Sequence, residues 1–467
     1  MFRRICFFFL FAVVVTVHAA GCDGGSGGVG RSSIVVFSDV HFNPFYDSAI
    51  FSSLVNATED QWADIFSGSS VTDPQSWGNE TNYPLLVKML DAVQEEGAAS
   101  PVVLFTGDIL THGFSKKFYA LYGSQDEAAM RAFTYKTVAF FAGQVRARLS
   151  GIPILFTLGN SDSYEGDYQI APNGAFLSDT ADLFYSMFLL EEADHNSYYE
   201  TYPTGGYYSI FNAQSFDSNL VVISLNSILF SVNASSGMED AAAQQLTWLE
   251  QTLSSASSNG KRVWILMHIP PGADIYSTVK QYMDSSGHIS DAAMMWKVDY
   301  QDSFLNIVQD YSDVIDMIFS GHTHMDEYRL ANEEGSDSHE AVIVTPSISP
   351  LFGNDSAFKV MTVSSENWKP LDYRSVAYHF GDTTPSFATY YTFSSAYDLN
   401  KWTLDSAFAA LYPELDTEAV LRKTYTGFYY SGHASANPIN DTNWLAYWCG
   451  IAKMTKNDYI QCVNVYR

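Results

Sequence analysis

Positive charge is what this chain has least of. Its 467 residues carry 24 Lys and Arg against 52 Asp and Glu, a formal net charge of −28. A surface so acidic repels nucleic acid, anionic membranes and long polyphosphate unless cations or a local basic patch intervene, so no nucleic-acid partner is expected. Cysteine is scarce as well, with only four. That excludes a miniature fold built on disulfides, and none of the four stands in the motifs of potential metal ligands, so a closed zinc knot is not expected. Beyond the N-terminal segment no apolar run approaches the roughly 18 residues of a membrane helix, so no transmembrane segment is expected. Internal repeats are absent too.

The single long apolar run, Ile5 to Val17, follows Arg3 and Arg4 and precedes Ala19-Ala20-Gly21. That is the layout of a secretory signal over residues 1–21. Residues 22–32, CDGGSGGVGRS, read as a Gly/Ser-rich tether. Cys449 and Cys462 lie close together near the C-terminus in the manner of a local disulfide, Cys6 leaves with the signal, and Cys22 is left over. Two readings of Cys22 stay open: a free or removed thiol after an ordinary signal, or a lipid anchor with Ala19-Ala20-Gly21-Cys22 as the lipobox. Either way the expected location is secreted or extracytoplasmic, with tethering to a membrane as the second form.

Potential metal ligands, by contrast, are placed with regularity. Seven occur in five short motifs: Asp39-x-His41, Gly107-Asp108, Gly159-Asn160, His268 and Gly321-His322-Thr323-His324. Each motif follows an apolar run with strand character, at 33–37, 102–106, 152–158, 263–267 and 314–319. Helical stretches such as 244–256 (QQLTWLEQTLSSA) intervene, so the fold class is α/β. Ligands at strand ends suit a pocket beyond the carboxyl edge of a sheet. Asp39/His41 and His322/His324 are spaced i, i+2, and in extended backbone each pair would project to one side. Four imidazoles, two carboxylates and one amide favour an open site for Zn, with Mn or Fe as alternatives. Seven ligands exceed the needs of one tetrahedral ion. They suit two divalent ions sharing a carboxylate, roughly 3.5–4 Å apart.

The ordered set FSDVH, FTGDILTH, LGNSD, MHIPPG and FSGHTH, from residue 37 to 324, resembles the calcineurin-like metallophosphoesterases. SDVHFNPFY, the His112 that follows Asp108 by four residues, and HIPPG resemble the acid sphingomyelinase-like phosphodiesterase branch. The resemblance implies a two-sheet β-sandwich flanked by helices, a catalytic domain over 33–361, and a C-terminal lobe over 362–467 carrying the Cys449–Cys462 disulfide. It assigns Asp39, His41 and His324 to one metal, and Asn160, His268 and His322 to the other, with Asp108 bridging. Hydroxide generated at the ions would attack phosphorus, and His112 would protonate the leaving oxygen.

One departure bears on substrate. Most relatives read GNHD, whereas here Ser161 follows Asn160. A serine is a poor proton donor to an alkoxide, so His112 is left as the general acid, and both residues are expected to face substrate. This tilts the expectation toward anhydrides or activated esters, and GNSD is close to the GNND of endopolyphosphatase-like relatives. The tether leaves no space for a saposin-like module, which argues against a membrane lipid. The expected function is an exported hydrolase of phosphoester or phosphoanhydride bonds in small molecules such as nucleotides. An endopolyphosphatase-like enzyme, a sphingomyelin phosphodiesterase and a metal-binding pseudoenzyme stay open beside it.

Other features carry less. Lys116 and Lys117, just past His112, read as a phosphate-facing patch or a solvated helix face. Aromatics beyond residue 362, among them Trp368, Tyr391, Trp402, Tyr429, Tyr430 and Trp448, read as packing, with a few available near a cleft. His195, His288, His339, His379 and His433 fall outside the motifs and read as surface or structural.

Overall fold

The computed structural model of this chain describes residues 30–189, 194–211, 219–331, 340–399, 403–433 and 438–465. The expected signal segment, Cys22 and most of the tether lie outside the described residues, as do His339 and Trp402.

Twelve strands form in the described chain: β1 (Arg31–Phe37), β2 (Val103–Phe105), β3 (Ile154–Phe156), β4 (Tyr208–Ile210), β5 (Leu220–Ser224), β6 (Arg262–Leu266), β7 (Ile315–Ser320), β8 (Glu327–Leu330), β9 (Ala341–Val344), β10 (Ser356–Ser364), β11 (Pro370–Tyr378) and β12 (Phe387–Thr392). All five apolar runs that precede a ligand motif are among them. They build two mixed six-stranded sheets, in the orders β12-β11-β10-β1-β2-β3 and β4-β5-β6-β7-β9-β8. Within each sheet the ligand-bearing strands run parallel: β1, β2 and β3 in one, β6 and β7 in the other. Their carboxyl ends therefore point the same way within each sheet.

Every residue of β5 and β7 is buried, as expected of strands covered on both faces. Helices supply the cover. The helix Glu127–Arg148 packs Phe141 on Phe105 with ring centroids 5.4 Å apart, and the helix Ala175–Phe188 brings Phe184 to within 4.2 Å of Phe156. The helix Glu239–Ser258, expected over 244–256, buries Leu246, Leu249 and Leu253 beside the second sheet. The sheets are also joined directly, by the Thr157 hydroxyl donating to Leu225 O at 2.7 Å and the Thr106 hydroxyl to Ser320 O at 3.4 Å.

Two expected boundaries shift. Arg31 and Ser32, placed in the tether, already pair with Ser364 and Val363 as part of β1. The division at 361/362 falls inside β10, which lies antiparallel beside β1, so the chain to Thr392 completes the first sheet. Past that strand the chain turns helical, with Leu404–Thr417, Ala419–Phe428, Trp444–Ala452 and Lys456–Val465 as its longer helices. The disulfide between Cys449 and Cys462 ties the last two of these together. Phe408 stacks on Tyr328 of β8 at 4.2 Å, which fastens the helices to the second sheet, and Met454 O accepts a hydrogen bond from Gln301 Nε2 on the helix Val298–Asp310. No helix among the described residues is long and apolar enough to cross a membrane.

Candidate metal centre

All seven expected ligands lie two to four residues past a strand end, and short backbone bonds lace their loops together. Asp39 N donates to Gly107 O at 2.9 Å, His41 N to Asp108 O at 3.0 Å, and Gly321 N to His268 O at 2.9 Å. The loops are not extended, contrary to the i, i+2 reading. Asp39, His41, Asp108, His322 and His324 have φ of 51°, 45°, 65°, 75° and 66°. Left-handed backbone at a residue with a Cβ costs roughly 1–2 kcal/mol and persists where the surroundings over-determine it. Here the lacing between loops over-determines it. The motif glycines clear the space: a Cβ on Gly159 would stand 2.1 Å from Asp108 N, and one on Gly321 would stand 2.0 Å from Ser38 Oγ.

The side chains converge into two groups that share one carboxylate. Asp108 Oδ2 lies 3.3 Å from His41 Nε2 and 3.1 Å from His268 Nε2. On the first side, His324 Nε2 is 3.2 Å from His41 Nε2 and 3.4 Å from Asp39 Oδ1. On the second, His268 Nε2 is 3.1 Å from Asn160 Oδ1 and 3.3 Å from His322 Nδ1. With metal–ligand bonds of roughly 2.0–2.1 Å, the edge of a coordination tetrahedron is roughly 3.3 Å, so these spacings suit donors around an ion.

Hydrogen bonding on the outer side makes the same point chemically. His41 Nδ1 sits 2.9 Å from Leu110 O and His268 Nδ1 2.8 Å from Thr106 O. A carbonyl only accepts, so each neutral ring carries its proton outward and turns the Nε2 lone pair inward. Those lone pairs then face carboxylate, amide and imidazole acceptors at 3.1–3.3 Å, a repulsive arrangement unless positive charge lies between them. The residues therefore fit a pair of cations.

Without metal, protons would take that role. Burial is the largest single influence and lowers the basicity of His41 and His268, but the charge of Asp108 together with the hydrogen bonds and the Asp39 charge around each ring outweighs it and pushes both up to about 9. Burial, and then the charge of a neighbouring group (His268 for one, countered by Asp39 for the other), leaves His322 and His324 down at about 3. Asp108 is held well below the usual carboxylate range, because His268 and His41 overcome the opposing effect of burial. His324 Nδ1 is buried with no hydrogen-bond partner among the described residues, and its ring instead packs against Phe352 at 4.6 Å.

Ser161 does not face the cleft. Its amide and its hydroxyl donate to Asp108 Oδ1 at 2.8 and 2.7 Å, which saturates that oxygen and leaves Oδ2 for the shared position. Ser161, expected to face substrate, is buried here and spends its hydroxyl on the shared carboxylate. Asp162 is likewise occupied, accepting from the amides of Asp108, Ile109, Leu110 and Gly159, while burial and the Asp108 charge raise it to about 6.

His112, which the family resemblance makes the general acid, stands at the edge of the centre. Its ring stacks on His41 with centroids 4.1 Å apart, is about one-third exposed, and lines the cleft. Nδ1 lies 3.0 Å from Glu80 Oε1. Glu80 also binds the Thr111 hydroxyl and Lys117, and its carboxyl is lowered to about 2, the His112 and Lys117 bonds prevailing over burial. Lys117 is therefore committed to Glu80 rather than to a phosphate patch, and Lys116 is exposed.

Sequence reasoning missed Glu80, which stands in the unmarked stretch GNETN, and Tyr168, whose hydroxyl is 3.4 Å from His322 Nε2. Only the spacing of Tyr168 from the Asn160 motif could have drawn notice. The centre opens into a cleft of about 700 Å³ whose walls include Trp77, Tyr276, Phe352, Tyr429, Tyr430 and Tyr447.

Fold and centre together define a metal-dependent phosphoester hydrolase. The chain belongs to the calcineurin-like phosphoesterases, whose family pattern matches residues 32–326. It is 22% identical over 445 residues to the human cyclic GMP-AMP phosphodiesterase SMPDL3A, covering 91% of this chain and 89% of that protein. It is 28% identical over 348 residues to sphingomyelinase phosphodiesterase D of Dictyostelium discoideum, covering 72% of this chain and 66% of the relative. A solved dimetal phosphatase from Danio rerio superposes with a TM-score of 0.41 at 13% identity, over 77% of this chain and 98% of that one.

Proposed function

We propose that this protein is an exported phosphodiesterase that cleaves a phosphoester or phosphoanhydride bond in a small molecule, nucleotides foremost. The observation that carries the reading is the sharing of Asp108 Oδ2 between two ligand groups that open onto one aromatic-lined cleft. Asp39, His41, Asp108 and His324 would hold one divalent ion, and Asp108, Asn160, His268 and His322 the other. Bound there, two ions would supply Lewis acidity for the phosphoryl oxygens and activation of water.

The chain's own residues do the rest. His112 gives a proton to the leaving oxygen from the ring nitrogen not engaged by Glu80. The cleft volume falls in the range of small-molecule sites, and its tyrosine and tryptophan walls suit a planar ring. The name of the human relative adds a cyclic dinucleotide to the candidates. Zinc is the favoured metal for so many imidazoles. Export rests on the N-terminal signal pattern and the pairing of Cys449 with Cys462, and anchoring at Cys22 is the second form.

The test is turnover by metal-loaded protein of bis(p-nitrophenyl) phosphate, ATP, CDP-choline, a cyclic dinucleotide, polyphosphate and sphingomyelin vesicles. Cleavage of the nitrophenyl ester together with one or more nucleotides is expected. Cleavage of sphingomyelin alone would replace the nucleotide reading, and no turnover with two ions bound would establish a pseudoenzyme.

A further inference from the structure

Glu80 is buried, 6% exposed, beside the centre, and both of its oxygens are spent on one short segment of chain. Oε1 accepts the backbone N–H of His112 at 2.7 Å and lies 3.0 Å from that ring's Nδ1. Oε2 accepts from the Thr111 hydroxyl and the Lys117 ammonium. Lys117 in turn reaches the Thr111 hydroxyl, so the segment 111–117 is closed around the carboxylate. Two of these bonds fall on the same residue, one on its main chain and one on its ring. A carboxylate that needed only to anchor a loop would be satisfied by the main-chain bond.

The ring bond has a chemical consequence. An anionic acceptor at Nδ1 selects the tautomer with its proton there and turns Nε2 to the opposite side. The ring is held flat against His41, at 4.1 Å and 20° between planes, so neither its position nor its rotation is free. Lys117 balances the Glu80 charge, which lets a carboxylate stay ionised in a site only partly open to water.

We propose that Glu80 is the positioning residue of His112: it fixes the ring's orientation and keeps a proton on Nδ1, so that the ring protonated on both nitrogens passes its Nε2 proton to the leaving oxygen of a bound phosphodiester and is left as the neutral Nδ1–H tautomer. The inference rests on His112 acting as the acid. Glu80 touches no substrate and exchanges no proton; its effect passes through the imidazole.

The experiment compares wild type, Glu80→Gln, the double variant Glu80→Gln with Lys117→Met, and His112→Ala. Each is loaded with metal and assayed on an alkyl phosphodiester and on bis(p-nitrophenyl) phosphate. The double variant keeps the volume while removing both charges. General-acid catalysis is worth ~10²–10⁴-fold and matters little for a good leaving group. Glu80→Gln and the double variant are therefore expected to lose about tenfold or more on the alkyl ester and less than about twofold on the nitrophenyl ester, at unchanged metal content. Equal losses on both esters, or lost metal, would show a structural role and overturn the proposal.

Failure of the underlying reading looks different, because His112→Ala itself would then show no dependence on leaving group. A second measurement needs no variant: ¹⁵N resonances of His112 in the zinc-loaded wild type. A proton resident on Nδ1 is expected, mixed with the other tautomer once Glu80 is replaced. A wild-type ring protonated only on Nε2 would overturn the assignment directly.

Discussion

Asp108 and Ser161 divide one task at the level of single residues. The carboxylate offers Oδ2 to both groups of ligands, and the serine amide and hydroxyl hold Oδ1 away from them. Asp108→Asn keeps the shape but removes the charge that two cations share, so loss of both ions and of turnover is expected by metal analysis and kinetics. Ser161→Ala removes one of two donors, and metal affinity measured by competition with a chelator is expected to fall by about tenfold, the low end for a supporting group. Unchanged affinity would mean that the amide alone suffices. Ser161→His, which writes the commoner GNHD, is expected to weaken metal binding too. The ring would displace the hydroxyl from Asp108, and Asp162, committed to four amides, has nothing left with which to orient it.

Legibility at this scale depends on how each residue is recruited. The convergence of the seven candidate ligands was legible because each stands just past an apolar strand, and the chain announces such positions by hydrophobicity. Glu80 was not, because it reaches His112 across 32 residues from a stretch without pattern. For Ser161 the residue type gives the chemistry it lacks, and only coordinates give the direction of its hydroxyl, toward Asp108.

At the level of elements, the GD and GN loops touch through bare backbone. A methyl group at Gly159 would enter the space of Asp108 N and Oδ1, at 2.1 and 2.2 Å. Gly159→Ala is expected to destabilise the metal-free protein by about 1–3 kcal/mol in chemical denaturation, the usual cost of overpacking, and to impair metal binding. A variant with wild-type stability and two ions would show that the loops separate at no cost. Strand positions were legible for the same reason as the ligands, yet the left-handed backbone of the loops was not. An i, i+2 spacing does not distinguish extended chain from two left-handed residues. The end of the first sheet was hidden as well: beyond residue 361 the chemistry-bearing motifs stop, although β10 to β12 continue the pairing.

For the whole molecule, metal and proton compete for the same nitrogens. His41 and His268, raised from 6.5 to about 9, stabilise the metal-free fold fully below pH 6.5, and that contribution is lost as pH rises through about 9. Metal binding needs both rings deprotonated, so affinity is expected to rise with pH over the same window. Titration calorimetry near neutral pH in buffers of different ionisation enthalpy is expected to register net proton release. Absence of release would place the metal elsewhere. Thermal melts of chelated and loaded protein are expected to diverge as pH climbs from 6.5 to 9, with the loaded form gaining.

The order of the ligands along the chain has a consequence for assembly. His41 and His324, whose Nε2 atoms lie 3.2 Å apart, are separated by 283 residues, and the donor loops follow first three strands of one sheet and then two strands of the other. A ribosome must release about seven-tenths of the polypeptide before the first group of donors exists, and the second group closes only with His322. Neither group of donors can therefore form within one sheet alone, and the pair of cations they fit would be held only by a chain whose two sheets have come together.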